Sequence, residues 1–230
     1  TIKRICGRFH VNHVDIFSMS HGIFVSAENE NGEAYTKVNH VPLSSSHLGI
    51  VAEVNELSRE ISAGRVKLEE AEERLEKIEK IPPKKRWFQY MAAGLASGTF
   101  ALMLGSSVLE AVAAFLIGFL SYVWVLFAGK HNLSKIIVNI VGGVIMTVLA
   151  LAFMHIPFLP ILKLDGMMVG AIMPMIPGVA FVNAIRDIAD TDFLSGLVRM
   201  IDALLVFVYI AIGVGVTLSI YNTMMGGILR

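Results

Sequence analysis

Residues 108–128 read VLEAVAAFLIGFLSYVWVLFA, an apolar run that contains a single charged residue, Glu110. A bilayer core about 30 Å thick needs roughly 20 apolar residues of helix, and this run has that length. Similar runs recur through the second part of the chain, with charged residues mostly at the breaks, which disfavours a buried core of a soluble protein. The sequence therefore predicts a membrane α-helical protein with five transmembrane helices, over residues 87–105, 108–128, 135–155, 165–184 and 201–222.

Charged residues are distributed unevenly along the 230 residues. Residues 1–83 hold ten Lys/Arg and thirteen Asp/Glu, whereas residues 84–230 hold nine and six. We therefore predict an N-terminal head over residues 1–83 and a transmembrane domain over residues 84–230. Their small, opposite net charges argue against a nucleic-acid partner. The single cysteine, Cys6, excludes an internal disulfide framework.

The positions of Lys and Arg predict the orientation of the spans. Cytoplasmic loops are enriched in these residues, and seven of them flank the spans on the side of the head. Only Lys163 and Arg230 fall on the other side. We therefore expect a multi-pass protein of the plasma or inner membrane, with its N-terminus and head in the cytoplasm and its C-terminus outside. The seven residues are Lys84, Lys85, Arg86, Lys130, Lys135, Arg186 and Arg199.

The head has both strand and helix signals, which predict an α+β fold with a β-hairpin and a helical pair. Residues 14–40 have the composition of strands, and Asn31-Gly32 is typical of a hairpin turn. Two helices are predicted over residues 46–63 and 65–81, the first capped by Ser46 and ended by Gly64. Three ion pairs are expected on the second helix: Glu70–Arg74, Glu73–Lys77 and Glu76–Lys80.

The sequence contains no recognisable enzyme motif. Glycine-rich phosphate loops, serine elbows and paired carboxylates are missing from it. Five histidines of the head lack a second set of metal ligands, so surface or pairing roles are predicted for them. We therefore expect no catalytic residues, no metal site, no cofactor and no enzymatic activity. The five histidines are His10, His13, His21, His40 and His47.

The fourth predicted span contains MPMIPG at residues 173–178, about midway along its length. Proline lacks an amide hydrogen, so we expect Pro174 and Pro177 to free the carbonyls of Gly170 and Met173. Unpaired carbonyls are costly in hydrocarbon, so such a break must face other protein or a wet cavity. Half-helix ends at the midplane hold solutes in many secondary transporters. A proline kink satisfied by a neighbouring helix is the alternative, and the residues leave both open.

Polar residues follow the break. We expect Asn183 and Asp187 to help form the inner mouth of a pathway and Asp202 to pair with Arg199. Either Glu110 or Asp202 could carry a coupling proton, although helix capping is the favoured role of Glu110. The predicted substrate and ion pathway consists of Gly170, Met173, Pro174, Pro177, Gly178, Asn183, Asp187, Arg199 and Asp202.

Small residues recur within the spans at helical spacing, which favours close contact between helices in lipid. Packing is the favoured role of each pair. The pairs are Gly94 and Gly98, Gly142 and Gly143, Gly166 and Gly170, and Gly213 and Gly215.

One run of residues resembles a family signature. It consists of PG at residues 177–178, NAIRD at residues 183–187, and SGL at residues 195–197 followed by Arg199. These motifs resemble those of the threonine/serine exporter family, and a less specific match covers nearly the whole chain. The resemblance implies export of threonine and serine, or of a dicarboxylate such as succinate, coupled to an ion gradient rather than to ATP.

The resemblance also implies partners. It predicts a second hydrophobic half, which is fused or a separate subunit, and an oligomeric assembly. Five spans is an odd number, so a second five-span unit would insert with the opposite orientation and form an inverted pair. The family pattern includes an earlier helix with a Gly-Ala-Glu-Ser-like motif. Because this chain opens at Thr1 beyond that helix, we expect it to be a truncated form.

Two hypotheses follow from these residues. In the first, the chain is an exporter, or an obligatory half of one, that binds a small-molecule substrate at the break in the fourth span. In the second, it is a non-transporting assembly or sensor subunit whose spans only anchor the head. An intramembrane enzyme is disfavoured because no nucleophile or metal cluster lies at membrane depth.

Overall fold

A computed structural model describes residues 1–9, 11–19, 22–28, 32–41, 47–82, 84–157 and 162–225. The chain divides into two units, Thr1–Pro83 and Lys84–Arg230. Five residues named in the predictions lie outside the described ranges: His10, His21, Asn31, Ser46 and Arg230.

The first unit contains a three-stranded antiparallel sheet with the strand order β1-β2-β3. The predicted hairpin forms between β2 and β3, and the sheet contains one more strand than predicted, because the residues before the polar turn form two strands. Strand β1 folds back on β2 and pairs Phe17 with Phe24, and Phe24 in turn pairs with Val38 of β3. Typical strands have about 5–6 residues, so the longer β-rich stretch divides into two. A short helix α1 precedes the sheet, and the bounds are α1 Ile2–Arg8, β1 Asn12–Met19, β2 Gly22–Glu28 and β3 Ala34–His40.

Two helices complete this unit, α2 Leu48–Ser62 and α3 Leu68–Glu79. His47 caps α2, because its Nδ1 accepts the N–H of Ile50 at 3.2 Å. Gly64 follows α2 with φ +70°, a conformation that glycine adopts without strain, as predicted for the residue that ends this helix. The two helices bury a small apolar cluster of Leu57, Ile61, Val66, Ala71 and Ile78.

Ion pairs on α3 follow the predicted spacing in two of three cases. Lys77 contacts Glu73 at 2.6 Å and Lys80 contacts Glu76 at 3.9 Å. The predicted pair of Glu70 and Arg74 was wrong, because Arg74 hydrogen-bonds to Glu60 of α2. Packing of the two helices brings Glu60 to Arg74, and the spacing along a single helix cannot show this.

The second unit is entirely helical in the described residues, with six α-helices and one 3₁₀ turn. Three helices, α5, α6 and α9, are long and apolar enough to span a membrane, and α7 with its 3₁₀ turn and α8 form a bent pair that could be a fourth span. The bounds are α4 Arg86–Met103, α5 Val108–Lys130, α6 Lys135–Met154, α7 Leu164–Ile172, the 3₁₀ turn Met173–Met175, α8 Gly178–Ala189 and α9 Phe193–Met224.

The five predicted spans are therefore only partly supported. The helix predicted over residues 87–105 forms as α4, but its 18 residues are not apolar enough to stand among the candidate spans. Arg86, Gln89 and several small or hydroxyl residues lower its mean hydropathy. The predicted fifth span begins earlier than expected, at Phe193, because the polar residues before residue 201 are part of α9.

Glycines set the closest contacts between helices, as the spacing predicted for most of the pairs. An added Cβ at Gly98 of α4 would lie 3.0 Å from the carbonyl oxygen of Ala111 in α5. An added Cβ at Gly143 of α6 would lie 2.7 Å from the carbonyl oxygen of Ile210 in α9. Gly215 differs, since nothing lies within 4 Å of its added Cβ. The main apolar core is formed by Ala113, Ile117, Met146, Ala150, Leu162, Met167, Met168, Ala171, Val206 and Ile210.

Candidate functional site

The break in the fourth predicted span lies where its prolines predict it. Helix α7 ends at Ile172, a 3₁₀ turn covers Met173–Met175, and α8 begins at Gly178. The two helical segments are bent by 63°, which is the geometry of a broken span or a re-entrant loop. The bend separates an apolar segment from one with polar residues near its end.

The two carbonyls that the prolines were expected to free are satisfied. The carbonyl oxygen of Gly170 accepts the N–H of Met173, and that of Met173 accepts the N–H of Ile176 at 3.3 Å. Both bonds span three residues instead of four, as in a 3₁₀ helix. The predicted free carbonyls were therefore wrong, because tightening of the turn replaces the missing proline donors. A cation site built from these two oxygens has no support.

The residues of the break differ in their surroundings. Gly170 is closely packed against α4, since an added Cβ would lie 2.6 Å from the carbonyl oxygen of Ser97. Met175 lies against Gly142 of α6. Gly178 is open, with nothing within 4 Å of an added Cβ. Among these residues, the open side of the break is thus at the start of α8.

The polar residues beyond the break are brought together in a hairpin of α8 and α9. Asp187 Oδ2 lies 3.2 Å from Arg199 Nη1, across the two helices. The helices touch closely at Gly196, where an added Cβ would lie 2.9 Å from the carbonyl oxygen of Ala184. Asp192 begins α9, and its side chain accepts the N–H of Ser195 at 3.2 Å. Asp187 is therefore held by both its charge partner and the packing of the hairpin.

The sequence predicted that Asp202 pairs with Arg199, and this prediction was wrong. Its two carboxylate oxygens lie 2.7 and 2.6 Å from the Nζ of Lys135 in α6. Asp202 and Arg199 are three residues apart on α9, but each faces a different neighbouring helix. The result is two separate ion pairs, one between α8 and α9 and one between α6 and α9.

A polar cavity lies away from the break, at the turn between α4 and α5. Its volume is about 670 Å³, and the start of α7 forms its other wall. Glu110 caps α5 in a capping box with Ser107, which confirms its predicted capping role. The second carboxylate oxygen of Glu110 accepts the N–H of Lys163 at 2.8 Å. The cavity is lined by Leu104, Gly105, Ser106, Ser107, Leu109, Glu110, Leu162, Lys163 and Gly166.

The sequence predictions did not include this cavity. Ser107 and Glu110 are at the spacing of a capping box, so that part of the signal was present. Lys163 lies 53 residues beyond Glu110, and only the packing of α7 beside α5 joins them. In the described part of the chain, no group of three or more His, Cys, Asp or Glu residues is placed to hold a metal ion.

Comparison with known proteins decides the family. The family model of the threonine/serine exporters matches residues 1–221, which is nearly the whole chain. This chain belongs to the threonine/serine exporter family. Membership favours a transporter over an enzyme, and together with the apolar helices it indicates a multi-pass membrane protein.

The exporter family match agrees with a curated relative. The chain is 25% identical over 214 residues to a protein of Corynebacterium glutamicum named threonine/serine exporter. The aligned region covers 92% of this chain and 44% of that protein, so the chain spans less than half the length of this relative. No solved structure matches the chain.

The motifs that resembled the exporter family lie together in the structure. The PG motif begins α8, the NAIRD motif ends in Asp187 on the same helix, and the SGL motif with Arg199 lies on the first turns of α9. The ion pair of Asp187 and Arg199 joins the second motif to the third.

Proposed function

We propose that this chain is a secondary-active exporter, or an obligatory half of one, for threonine, serine or a related small metabolite that carries a carboxylate. An ion gradient, with the proton as the coupling ion, drives the export. The proposal is supported by the exporter family match and by the name of the curated relative. The observation that carries the pathway is the 63° bend between α7 and α8, which adjoins the family motifs.

The proposed pathway passes the open side of the break. Gly178 leaves space at the start of α8, and the helix carries Asn183 and Asp187 on one face, since they are four residues apart. The amide-rich start of a helix favours a substrate carboxylate. Gly170 and Met173 form the closely packed side of the bend, and Pro174 and Pro177 cause the bend. Arg199 and Asp202 contribute charges from α9.

We further propose five membrane spans. Helix α4 would cross the membrane with α5, because the two helices are in close contact along their length. An added Cβ at Gly94 would lie 3.0 Å from the carbonyl oxygen of Phe115, and Gly98 makes the same approach to Ala111. With the excess of Lys and Arg on the side of residue 84, the head then lies in the cytoplasm and the C-terminus outside the inner membrane.

The proposed partner is a second hydrophobic transporter half, supplied as a separate subunit, within an oligomer. Apolar side chains on α8 support a partner or lipid on that face, since Val179, Val182 and Ile185 are all exposed. Large exposed apolar surface in a helical unit requires an apolar neighbour. An inverted second half would place a substrate site between the two halves.

Reconstitution tests the proposal. Liposomes that contain the chain together with its second half are loaded with labelled threonine or serine, and efflux is measured with and without a proton gradient. We expect gradient-driven efflux only with both halves. Efflux that is the same with and without the proton gradient would contradict coupling. If both halves are present and neither amino acid is exported, the hypothesis of an assembly or sensor subunit would be favoured.

Two variants test the pathway. Pro177→Ala and Asp187→Asn are expected to abolish export, because one straightens the bend and the other removes the charge held by Arg199. Insertion and amount in the membrane are measured for both. Glu76→Gln serves as the matched control, since its partner Lys80 is 3.9 Å away on the exposed surface of the head. Wild-type efflux from both pathway variants would refute the assignment.

A further inference from the structure

The cavity between α4, α5 and α7 has the size of a small-molecule site. Its volume of about 670 Å³ falls within the range of roughly 300–1,000 Å³ that is usual for ligand pockets. It is separate from the bend between α7 and α8, because its walls are the α4–α5 turn and the first residues of α7. Among the described residues, its polar lining consists of Ser106, Ser107, Glu110 and Lys163.

Glu110 places a buried negative charge in this cavity. The residue is 5% exposed, and its carboxylate accepts two backbone donors, the N–H of Ser107 at 2.7 Å and the N–H of Lys163 at 2.8 Å. No Lys, Arg or His forms an ion pair with Glu110 in the described ranges. A buried carboxylate is stabilised further when a cation joins its hydrogen-bond donors. An ammonium group that enters the cavity therefore finds a partner here.

Lys163 places the opposite charge in the same cavity. Its backbone N–H is bonded to Glu110, whereas its side chain is exposed and forms no ion pair within 4.0 Å in the described part of the chain. The exposed ammonium can therefore reach an anionic group that enters the cavity. The hydroxyl of Ser106 and Oε2 of Glu110 both lie near Gly166, and the hydroxyl adds a neutral donor and acceptor to the lining.

We propose that this cavity binds a zwitterionic α-amino acid, as a second substrate site of the exporter. Glu110 binds the ammonium group, Lys163 binds the carboxylate, and Ser106 hydrogen-bonds to a hydroxyl on the side chain. This inference rests on the proposed function and selects among its substrates. A dicarboxylate could use Lys163 but would be repelled by Glu110, so the pair of charges favours an amino acid over an organic acid.

The place of the cavity gives the site a role. In the orientation proposed above, the α4–α5 turn and the start of α7 are at the outer end of the helices. A site there receives the substrate after it has passed the bend. Release from the cavity to the outside is then the last step of export.

Equilibrium binding tests the site with three probes, measured on the purified chain in lipid nanodiscs. The probes are L-threonine, N-acetyl-L-threonine, which lacks the ammonium group, and L-threonine amide, which lacks the carboxylate. Wild-type protein is expected to bind L-threonine at least about tenfold more tightly than either analogue, because each analogue loses one hydrogen bond between charged groups.

Each variant should lose the preference for one charged group of L-threonine and keep the preference for the other. Lys163→Gln is expected to bind L-threonine and its amide about equally while still rejecting the N-acetyl form. Glu110→Gln is expected to bind L-threonine and N-acetyl-L-threonine about equally while still rejecting the amide. Lys130→Gln, at the other end of α5, is the matched control and should keep the wild-type affinity and selectivity.

The outcomes separate this site from the proposed function. Because Glu110 also caps α5, thermal unfolding is measured for each variant. If Glu110→Gln is unfolded, the result for Lys163→Gln decides the test. Failure of wild-type protein to bind L-threonine, or unchanged rejection of the amide by Lys163→Gln, would overturn the site. Efflux is recorded for the same variants. Efflux of threonine without Lys163-dependent binding refutes the cavity alone, whereas Lys163-dependent binding without efflux refutes only the proposed export.

Discussion

Replacement of Gly143 by alanine tests the closest contact between α6 and α9. An added Cβ would lie 2.7 Å from the carbonyl oxygen of Ile210 and 3.3 Å from the Cα of Gly213. Both neighbours are backbone atoms, so neither can rotate away and the helices must move apart. Such overpacking costs about 1–3 kcal/mol, and the better helix propensity of alanine offsets at most about 1 kcal/mol. We therefore expect a net loss in the free energy of unfolding of up to about 3 kcal/mol.

Gly215→Ala is the matched control. Gly215 also lies in the interior of a long apolar helix, but nothing is within 4 Å of its added Cβ. The gain in helix propensity is the same and the clash is missing, so stability should be unchanged or rise by up to about 1 kcal/mol. The difference between the two variants, about 1–3 kcal/mol, isolates the cost of the close contact.

The assay is unfolding in mixed detergent micelles with a rising fraction of sodium dodecyl sulfate, followed by tryptophan fluorescence. Both tryptophans, Trp87 and Trp124, lie in the helical unit, and Trp124 Nε1 donates to the carbonyl of Val138 at 3.0 Å across α5 and α6. The midpoint should fall for Gly143→Ala and not for Gly215→Ala. Equal midpoints would refute the reasoning, because they would show that α9 does not contact α6 at Gly143.

Two further predictions concern charged pairs. A double-mutant cycle with Lys135→Gln and Asp202→Asn should give a coupling free energy below about 1 kcal/mol in detergent, because both side chains are more than a third exposed, at 51% and 42%; a coupling well above this would indicate a desolvated pair. In the head, the hydrogen bond and charge of Lys77 lower the pKa of Glu73. Because the folded pKa lies below the unfolded one, the pair stabilises the head above the ordinary pKa of glutamate, and this contribution is lost as the pH falls through the lowered value. An NMR titration of the Glu73 carboxyl should therefore show a lower midpoint in wild type than in Lys77→Gln, and equal midpoints would contradict the pairing.

Features that depend on one residue or on a short window were predictable. The apolar runs of α5 and α6 are visible in their own residues, and the break follows from Pro174 and Pro177, which cannot donate a backbone hydrogen bond. Gly64 ends α2 because its backbone adopts φ +70°. The capping role of Glu110 follows from its place in the first turn of α5. Each of these is decided within a few neighbouring residues.

Features that depend on which elements meet were missed. Asp202 pairs with Lys135, which is 67 residues away, and not with the nearby Arg199. The head has three strands because Phe17 meets Phe24 of the next strand. The cavity exists because the start of α7 lies beside Glu110. None of these neighbours is fixed by spacing along the chain.

The sequence by itself determined that this protein has long apolar helices, a proline break and the motifs of an exporter family, since these are properties of contiguous residues. Only the tertiary structure decided that the carbonyls at the break are satisfied, which charges pair, and where a polar cavity lies. The physical reason is that hydrogen bonds and ion pairs are short in range. Their partners are chosen by the packing of helices, and distant segments of the chain set that packing.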